Sequence, residues 1–164
     1  MYHNTKLADK MLTELSEFLR YSLRFDPFVF VSLKNEIEII EKYLLIEKIR
    51  FGDNLDYRFE ISPGTYELKV LCFMLQPLVE NAIKHGMRSS THALTIIISS
   101  QITEGWLNLE IKNTGKLDKE QISEGTGLSN IKERLINAYP NNHSFDISEN
   151  NGWIKVIIKI RCKS

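Results

Sequence analysis

The sequence predicts an α+β fold: a two-layer sandwich with helices on one face of a mixed, largely antiparallel sheet, preceded by one further helix. Three observations point there. Apolar residues recur at helical spacing in several separated stretches, they alternate with polar residues in others, and glycine-containing turns join neighbouring alternating stretches as hairpins. No internal repeat or second core interrupts the pattern, and 164 residues suffice for one well-buried core.

Taken in order, Leu7, Met11, Leu15, Phe18 and Ser22, flanked by Leu12, Leu19 and Leu23, predict a helix over Lys6–Arg24 with a broad apolar stripe. Asp26-Pro27 ends it, because proline lacks the N–H that a helix needs and restricts the residue before it. Ser32 is a helix cap, Glu36 and Glu38 suit the positive end, and Leu33, Ile37, Ile40 and Leu44 face inward as far as Phe51-Gly52. A turn at Gly52-Asp53-Asn54 leads into a half-buried strand through Leu55, Tyr57, Phe59 and Ile61, closed by Pro63-Gly64. Tyr66–His85 returns to helical spacing through Leu68, Leu71, Leu75, Val79, Ala82 and Ile83, with a kink expected at Pro77 and a stop at Gly86. Leu94–Ser100 and Trp106–Lys112 read as a hairpin across Thr103-Glu104-Gly105. A helix is predicted over Gly127–Ala138, and a last hairpin over Ser144–Ser148 and Trp153–Arg161 across Asn150-Asn151-Gly152. Trp106 and Trp153 fall at hairpin positions, as core or sheet-face aromatics.

Composition excludes several functions. Lys plus Arg equal Asp plus Glu at 21 each, so no basic excess advertises a nucleic-acid partner. Apolar runs such as Phe28–Val31 are too short to span a bilayer, and no export signal opens the chain. Cys72 and Cys162 read as inert thiols, and His3, His85, His92 and His143 are not spaced as zinc ligands.

Chemistry concentrates in two segments. Along Gln76–Gly86 at about 100° per residue, Gln76, Glu80, Asn81, Lys84 and His85 fall on one half of the helix and Leu78, Val79, Ala82 and Ile83 on the other. A solvent-facing helix surface is the plain reading of such a wall. Its composition suggests more: Glu and Asn bring hard oxygen ligands, and Lys and His bring phosphate partners, as a magnesium–nucleotide site requires. In the second segment, Gly125-Thr126-Gly127-Leu128 leads directly into a helix, where glycines admit an anion to backbone N–H groups at the positive dipole end. Glycine also serves ordinary caps and turns, so this segment is weak by itself. A third stretch, Ile111-Lys112-Asn113-Thr114-Gly115, is a strand end running into a glycine turn.

Together the segment Gln76–Gly86 and the segment Gly125–Leu135 resemble sensor histidine kinases of the LytS/YehU type, as do Leu15–Leu23 and Tyr43–Gly52. The resemblance covers nearly the whole chain. It implies the Bergerat-type, GHKL ATP-binding fold, with ATP between the helices and a mobile lid over Lys116–Glu124. It implies that residues 1–27 are the second helix of a dimerisation and phosphoacceptor hairpin, and that residues 28–164 are the catalytic domain. By the same resemblance Asn81 would bind magnesium, Glu80 would position groups around it, and Lys84 and His85 would face the phosphates. Gly125, Thr126, Gly127 and Leu128 would hold the triphosphate, while Asn113 and Gly115 would stand in the adenine-reading box.

Two departures stand out. The Asp-x-Gly-x-Gly of that box becomes Asn113-Thr114-Gly115-Lys116-Leu117, and the acceptor histidine in its Pro-His-Phe context is absent, as though Met1 were a cut inside a longer protein. His3, close to the helix and without that context, reads as an ordinary terminal histidine. The expected function is the ATP- and magnesium-dependent catalytic domain of a two-component kinase. It would pass the γ-phosphoryl to a histidine outside this chain and on to a response regulator. The full-length protein would be a homodimeric, membrane-anchored bacterial sensor, with this part cytoplasmic and membrane contact made only through upstream segments. A second reading stays open: a degenerate domain of the same fold, serving dimerisation and signalling with weak or no nucleotide binding, which the departures at Asn113 and Leu117 favour.

Overall fold

Apolar residues spaced by three and four carry the first helix, α1 (Tyr2–Arg24), in the computed structural model, which describes residues 2–24, 26, 28–89, 92–117 and 126–162. The helix lies against α2 (Leu33–Phe51), where the Lys42 ammonium pairs with the Glu17 carboxylate. Leu7, Leu12, Leu15, Leu19 and Leu23 nevertheless remain exposed along α1. Ser32 caps α2 as expected, its Oγ accepting the Asn35 N–H at 3.3 Å. Gly52 ends the helix at φ 57, a backbone angle that costs a glycine little. No described helix is long and apolar enough to cross a membrane.

Strand β1 (Phe30–Ser32) precedes α2 and pairs antiparallel with β3 (Lys69–Leu71) in a small separate sheet. The main sheet has five strands in the order β2-β4-β5-β7-β6. These are β2 (Leu55–Ile61), β4 (Leu94–Thr103), β5 (Trp106–Thr114), β6 (His143–Asn150) and β7 (Trp153–Arg161). Only the β2–β4 pairing is parallel; the others are antiparallel, as the expected mixed sheet requires. Both hairpins close on two residues at positive φ, Glu104-Gly105 and Asn151-Gly152, which matches the twist of the flanking strands.

One helix differs from its prediction. The stretch 66–85 is not a single kinked helix: β3 and a turn over 72–75 occupy its first half, and α3 (Gln76–Ser89) begins only at Gln76. Pro77 therefore starts a helix rather than bending one, because in the first turn its missing N–H has no intrahelical acceptor to lose. Leu75 takes the capping position, its carbonyl accepting the N–H groups of Leu78 and Val79, both at 3.1 Å. Gly86 does not stop the helix either. It lies inside α3, where a Cβ would come within 2.4 Å of Leu94 Cδ1, so glycine there allows helix and strand to approach closely.

Helix α4 (Thr126–Ala138) completes the helical layer. The core lies between the layers: Ile40 and Leu44 of α2, Leu78 and Val79 of α3, and Ile131 and Leu135 of α4 pack on Ile96, Ile98, Leu109, Ile111 and Ile158. On the opposite face of the sheet, Arg161 stacks on half-buried Trp106 and Lys112 on half-buried Trp153, with the cation 5.3 and 4.4 Å from the ring centroid. Cys72 is buried, Cys162 is partly so, and neither forms a disulfide among the described residues.

Candidate functional site

The polar wall of α3 is built from its first turn onward. Gln76 Nε2 donates to Glu80 Oε1 at 2.8 Å, one helical turn apart, while Gln76 Oε1 is buried with no hydrogen-bond partner among the described residues. Glu80, Asn81 and His85 are half-buried and Lys84 is exposed, so the wall faces a partly sheltered space rather than the core. Glu80 also feels α2. Burial pushes the Glu47 carboxyl up from its ordinary range, Arg50 opposes the shift, and the charge of Glu80 adds to it. Burial likewise raises the Tyr43 phenol, reinforced by Glu47 and Glu80.

Asn81 points across to α4. A Cβ on Gly127 would stand 3.6 Å from Asn81 Nδ2 and 4.0 Å from Oδ1, so the amide lies against the glycine backbone with only the missing side chain between them. The two segments that the sequence singled out are thus neighbours in space. Gly127 and Leu128 lie in the first turn of α4, where N–H groups have no intrahelical acceptor. The Leu128 side chain packs against the core. Thr126 begins the helix, whereas Gly125 and most of the expected lid, residues 118–124, lie outside the described residues. At the near end of that lid, Leu117 N–H donates to Glu149 Oε2 at 2.8 Å.

Asn113 lies within β5, not after it, paired with Ile96 on one side and Ile154 on the other. Its side chain is only 3% exposed and faces the helices, with Nδ2 donating to the Thr114 carbonyl at 3.0 Å. Gly115, at φ 143, sends its N–H to the Gly152 carbonyl at 3.0 Å and so fixes the end of β5 to the last hairpin.

Sequence reasoning missed the joint ahead of α3. Glu36, 2% exposed, accepts the backbone N–H groups of Phe73, Met74 and Leu75 at 2.7, 3.1 and 3.4 Å. From the other side the Arg134 guanidinium donates to the carbonyls of Phe73, at 3.0 Å, and Cys72. Tyr139 OH accepts the Leu71 N–H at 3.1 Å. Burial raises the Glu36 carboxyl, with the three N–H donors and Arg134 pulling it back. Arg134 stood inside a quoted motif and Glu36 in a first helical turn, but their partners are main-chain groups, which leave no mark in a sequence.

Magnesium and a nucleotide phosphate fit what is present. Among the described residues no group of three or more His, Cys, Asp or Glu could cage an ion. Magnesium needs no such cage when one side-chain oxygen and phosphate oxygens share its shell. Asn81, set against the Gly127 backbone, carries a side-chain oxygen of the kind such a shell would use.

Comparison with known proteins agrees with the fold. Residues 1–55 match the family model described as histidine kinase. Over 159 residues, 96% of its length, the chain is 30% identical to the sensor histidine kinase BtsS of Escherichia coli K12, and it covers 28% of that protein. Over 141 residues, 86% of its length, it is 34% identical to the sensor protein kinase HptS of Staphylococcus aureus USA300, covering 25% of it. The chain thus spans about a quarter of the length of these curated relatives. Its fold matches the catalytic domain of the histidine kinase ThkA at a TM-score of 0.60 and 20% identity, over 82% of this chain and 96% of that one. ThkA solved in complex with the response regulator TrrA matches at 0.59 and 21%, over 97% of this chain and 49% of that one. Family model, relatives and fold all liken the chain to histidine kinases.

Proposed function

We propose that residues 28–164 bind magnesium–ATP between α3 and α4 and deliver its γ-phosphoryl to a histidine outside this chain, for relay to an aspartate of a response regulator. One observation carries the reading: Asn81 of α3 and Gly127 of α4, far apart in sequence, stand side by side, which brings the two chemistry-bearing segments to one place. In the transfer, an imidazole nitrogen of the acceptor attacks the γ-phosphorus, the bond to the β–γ bridging oxygen breaks, and ADP leaves with that electron pair. Such a reaction asks the protein chiefly for positioning and charge neutralisation. Asn81 would hold the magnesium, Lys84 and His85 would face the phosphates, and the first-turn N–H groups of α4 would take the triphosphate. Glu80, tied to Gln76, would orient groups around the ion. The exposed leucines of α1 support residues 1–27 as part of a dimerisation hairpin, since an apolar stripe of that length suits another helix. ThkA's structure with its response regulator supports the same class of partner here.

The second reading, a degenerate module, has one specific observation in its favour. The Asn113 amide is turned to its own strand, donating to Thr114, and a neutral amide replaces the acid expected for adenine. Mixing the chain with magnesium, γ-labelled ATP and a separate helical hairpin carrying the Pro-His-Phe acceptor decides between the two. The kinase reading predicts acid-labile label on the hairpin. Label on a histidine of this chain, or none anywhere, contradicts it.

A further inference from the structure

We propose that Arg134 and Glu36 are positioning residues for the nucleotide site, a two-sided clamp on the turn 72–75 that sets α4 against α3. The inference rests on the nucleotide-binding reading of Asn81 and Gly127 for its functional consequence.

The turn is gripped from both directions. Glu36 of α2 takes its three successive N–H groups, and Arg134 of α4 takes the two carbonyls of Cys72 and Phe73. Because Phe73 sits at φ 54, unusual for a bulky residue, this turn needs outside partners to hold it. Leu75, the last residue gripped, is also the residue whose carbonyl receives the first N–H groups of α3. The clamp therefore fixes where α3 starts.

It also fixes α4. Gly127 and Arg134 are seven residues apart, so at about 100° per residue they share one face of the helix. That face meets α3 at Asn81 through Gly127 and the turn ahead of α3 through Arg134. A rotation or slide of α4 that parted Gly127 from Asn81 would also pull the guanidinium off the turn. A planar, bidentate donor constrains direction in a way that a greasy contact does not. Burying the Glu36 carboxyl is an expensive way to hold a turn, and apolar packing often does it as well. The expense makes sense where orientation is the purpose.

The test uses the whole 164-residue chain and its Arg134→Gln variant, with amide hydrogen exchange read without nucleotide and magnesium–ATP affinity read by calorimetry. The clamp predicts faster exchange at Phe73–Leu75 and also at Asn130 and Ile131 of α4. It predicts about tenfold weaker ATP binding, and a loss that shrinks when Asn81 is already Ala, since both act on one contact. A residue that only stabilises the fold would lower the thermal midpoint without this dependence on Asn81. Should Arg134→Gln fail to fold, Arg134→Lys, which keeps the charge but not the planar fork, serves for the same comparison. Faster exchange confined to 73–75, or wild-type affinity in a folded variant, overturns the proposal. If the unsubstituted chain binds no ATP, the nucleotide reading falls by itself, and spread or confinement of the exchange still decides whether the clamp sets α4.

Discussion

The side-chain amide of Asn81 lies against the backbone of Gly127, and a methyl group at 127 would stand 3.6 Å from Nδ2. That is ordinary contact, so the fold does not demand glycine there. Gly127→Ala should keep or slightly raise stability, by at most about 1 kcal/mol, because alanine is the better helix former. It should weaken magnesium–ATP binding by covering the Gly127 backbone and the Asn81 amide that lies against it. Urea melts and nucleotide titration of the variant check both halves, and a destabilised variant with normal affinity would make the glycine structural.

Asn113→Asp should raise the preference for ATP over GTP. A carboxylate only accepts hydrogen bonds, which suits the adenine amino group and repels the guanine carbonyl, whereas an amide can present either end. Replacing a neutral hydrogen bond by a charge-assisted one is worth about 1 kcal/mol, on the order of a several-fold change in Kd. The same change removes the Nδ2 donor to Thr114 and buries a charge, so the ligand-free variant should melt lower. Competition titrations with both nucleotides measure the ratio, and an unchanged ratio rules out base reading at this position.

Gly86→Ala places its methyl 2.4 Å from Leu94 Cδ1, and Leu94 is fully buried. Overpacking of this kind costs about 1–3 kcal/mol, against a gain near 1 kcal/mol from helix propensity. A fall of a few degrees in Tm is expected. Leu94→Val in the same chain should recover part of it, and simple additivity of the two losses would refute the close-approach explanation.

The pH dependence of stability carries a signature of Glu36. Its folded pKa lies above the ordinary 4.5, so the folded state holds that proton more tightly than the unfolded chain. The stability this contributes is fully present below 4.5 and is lost as pH rises through the folded value. Glu36→Gln has no such proton, so its stability relative to the native protein should improve as pH rises across that window. Urea midpoints measured at several pH values give the comparison, and parallel profiles would show that Glu36 is not shifted upward.

Periodicity and turn chemistry made most elements legible, because β2, both hairpins and helix α2 with its Ser32 cap are local consequences of local residues. The stretch 66–85 was not, since Leu68, Leu71 and Leu75 sit at spacings that suit a helix but serve a short strand and a turn. What decides their conformation is Glu36 and Arg134, whose hydrogen bonds to main-chain groups lie dozens of residues away. Gly86 misled for a related reason. A glycine that ends a helix and one that admits a neighbouring leucine look alike until Leu94 is in place. In the candidate site, the residue types of Gln76–Gly86 were readable, whereas the meeting of Asn81 with Gly127 is a product of the fold.

The central claim is that the space between α3 and α4 is a magnesium–nucleotide site, and calorimetric titration of ATP into the chain, with and without magnesium, tests it most directly. The account predicts saturable binding that Asn81→Ala weakens and strips of its magnesium dependence while Tm stays within a few degrees, since a half-buried polar residue adds little to the core. No heat of binding at millimolar ATP, or binding that is indifferent to both magnesium and Asn81, would contradict it.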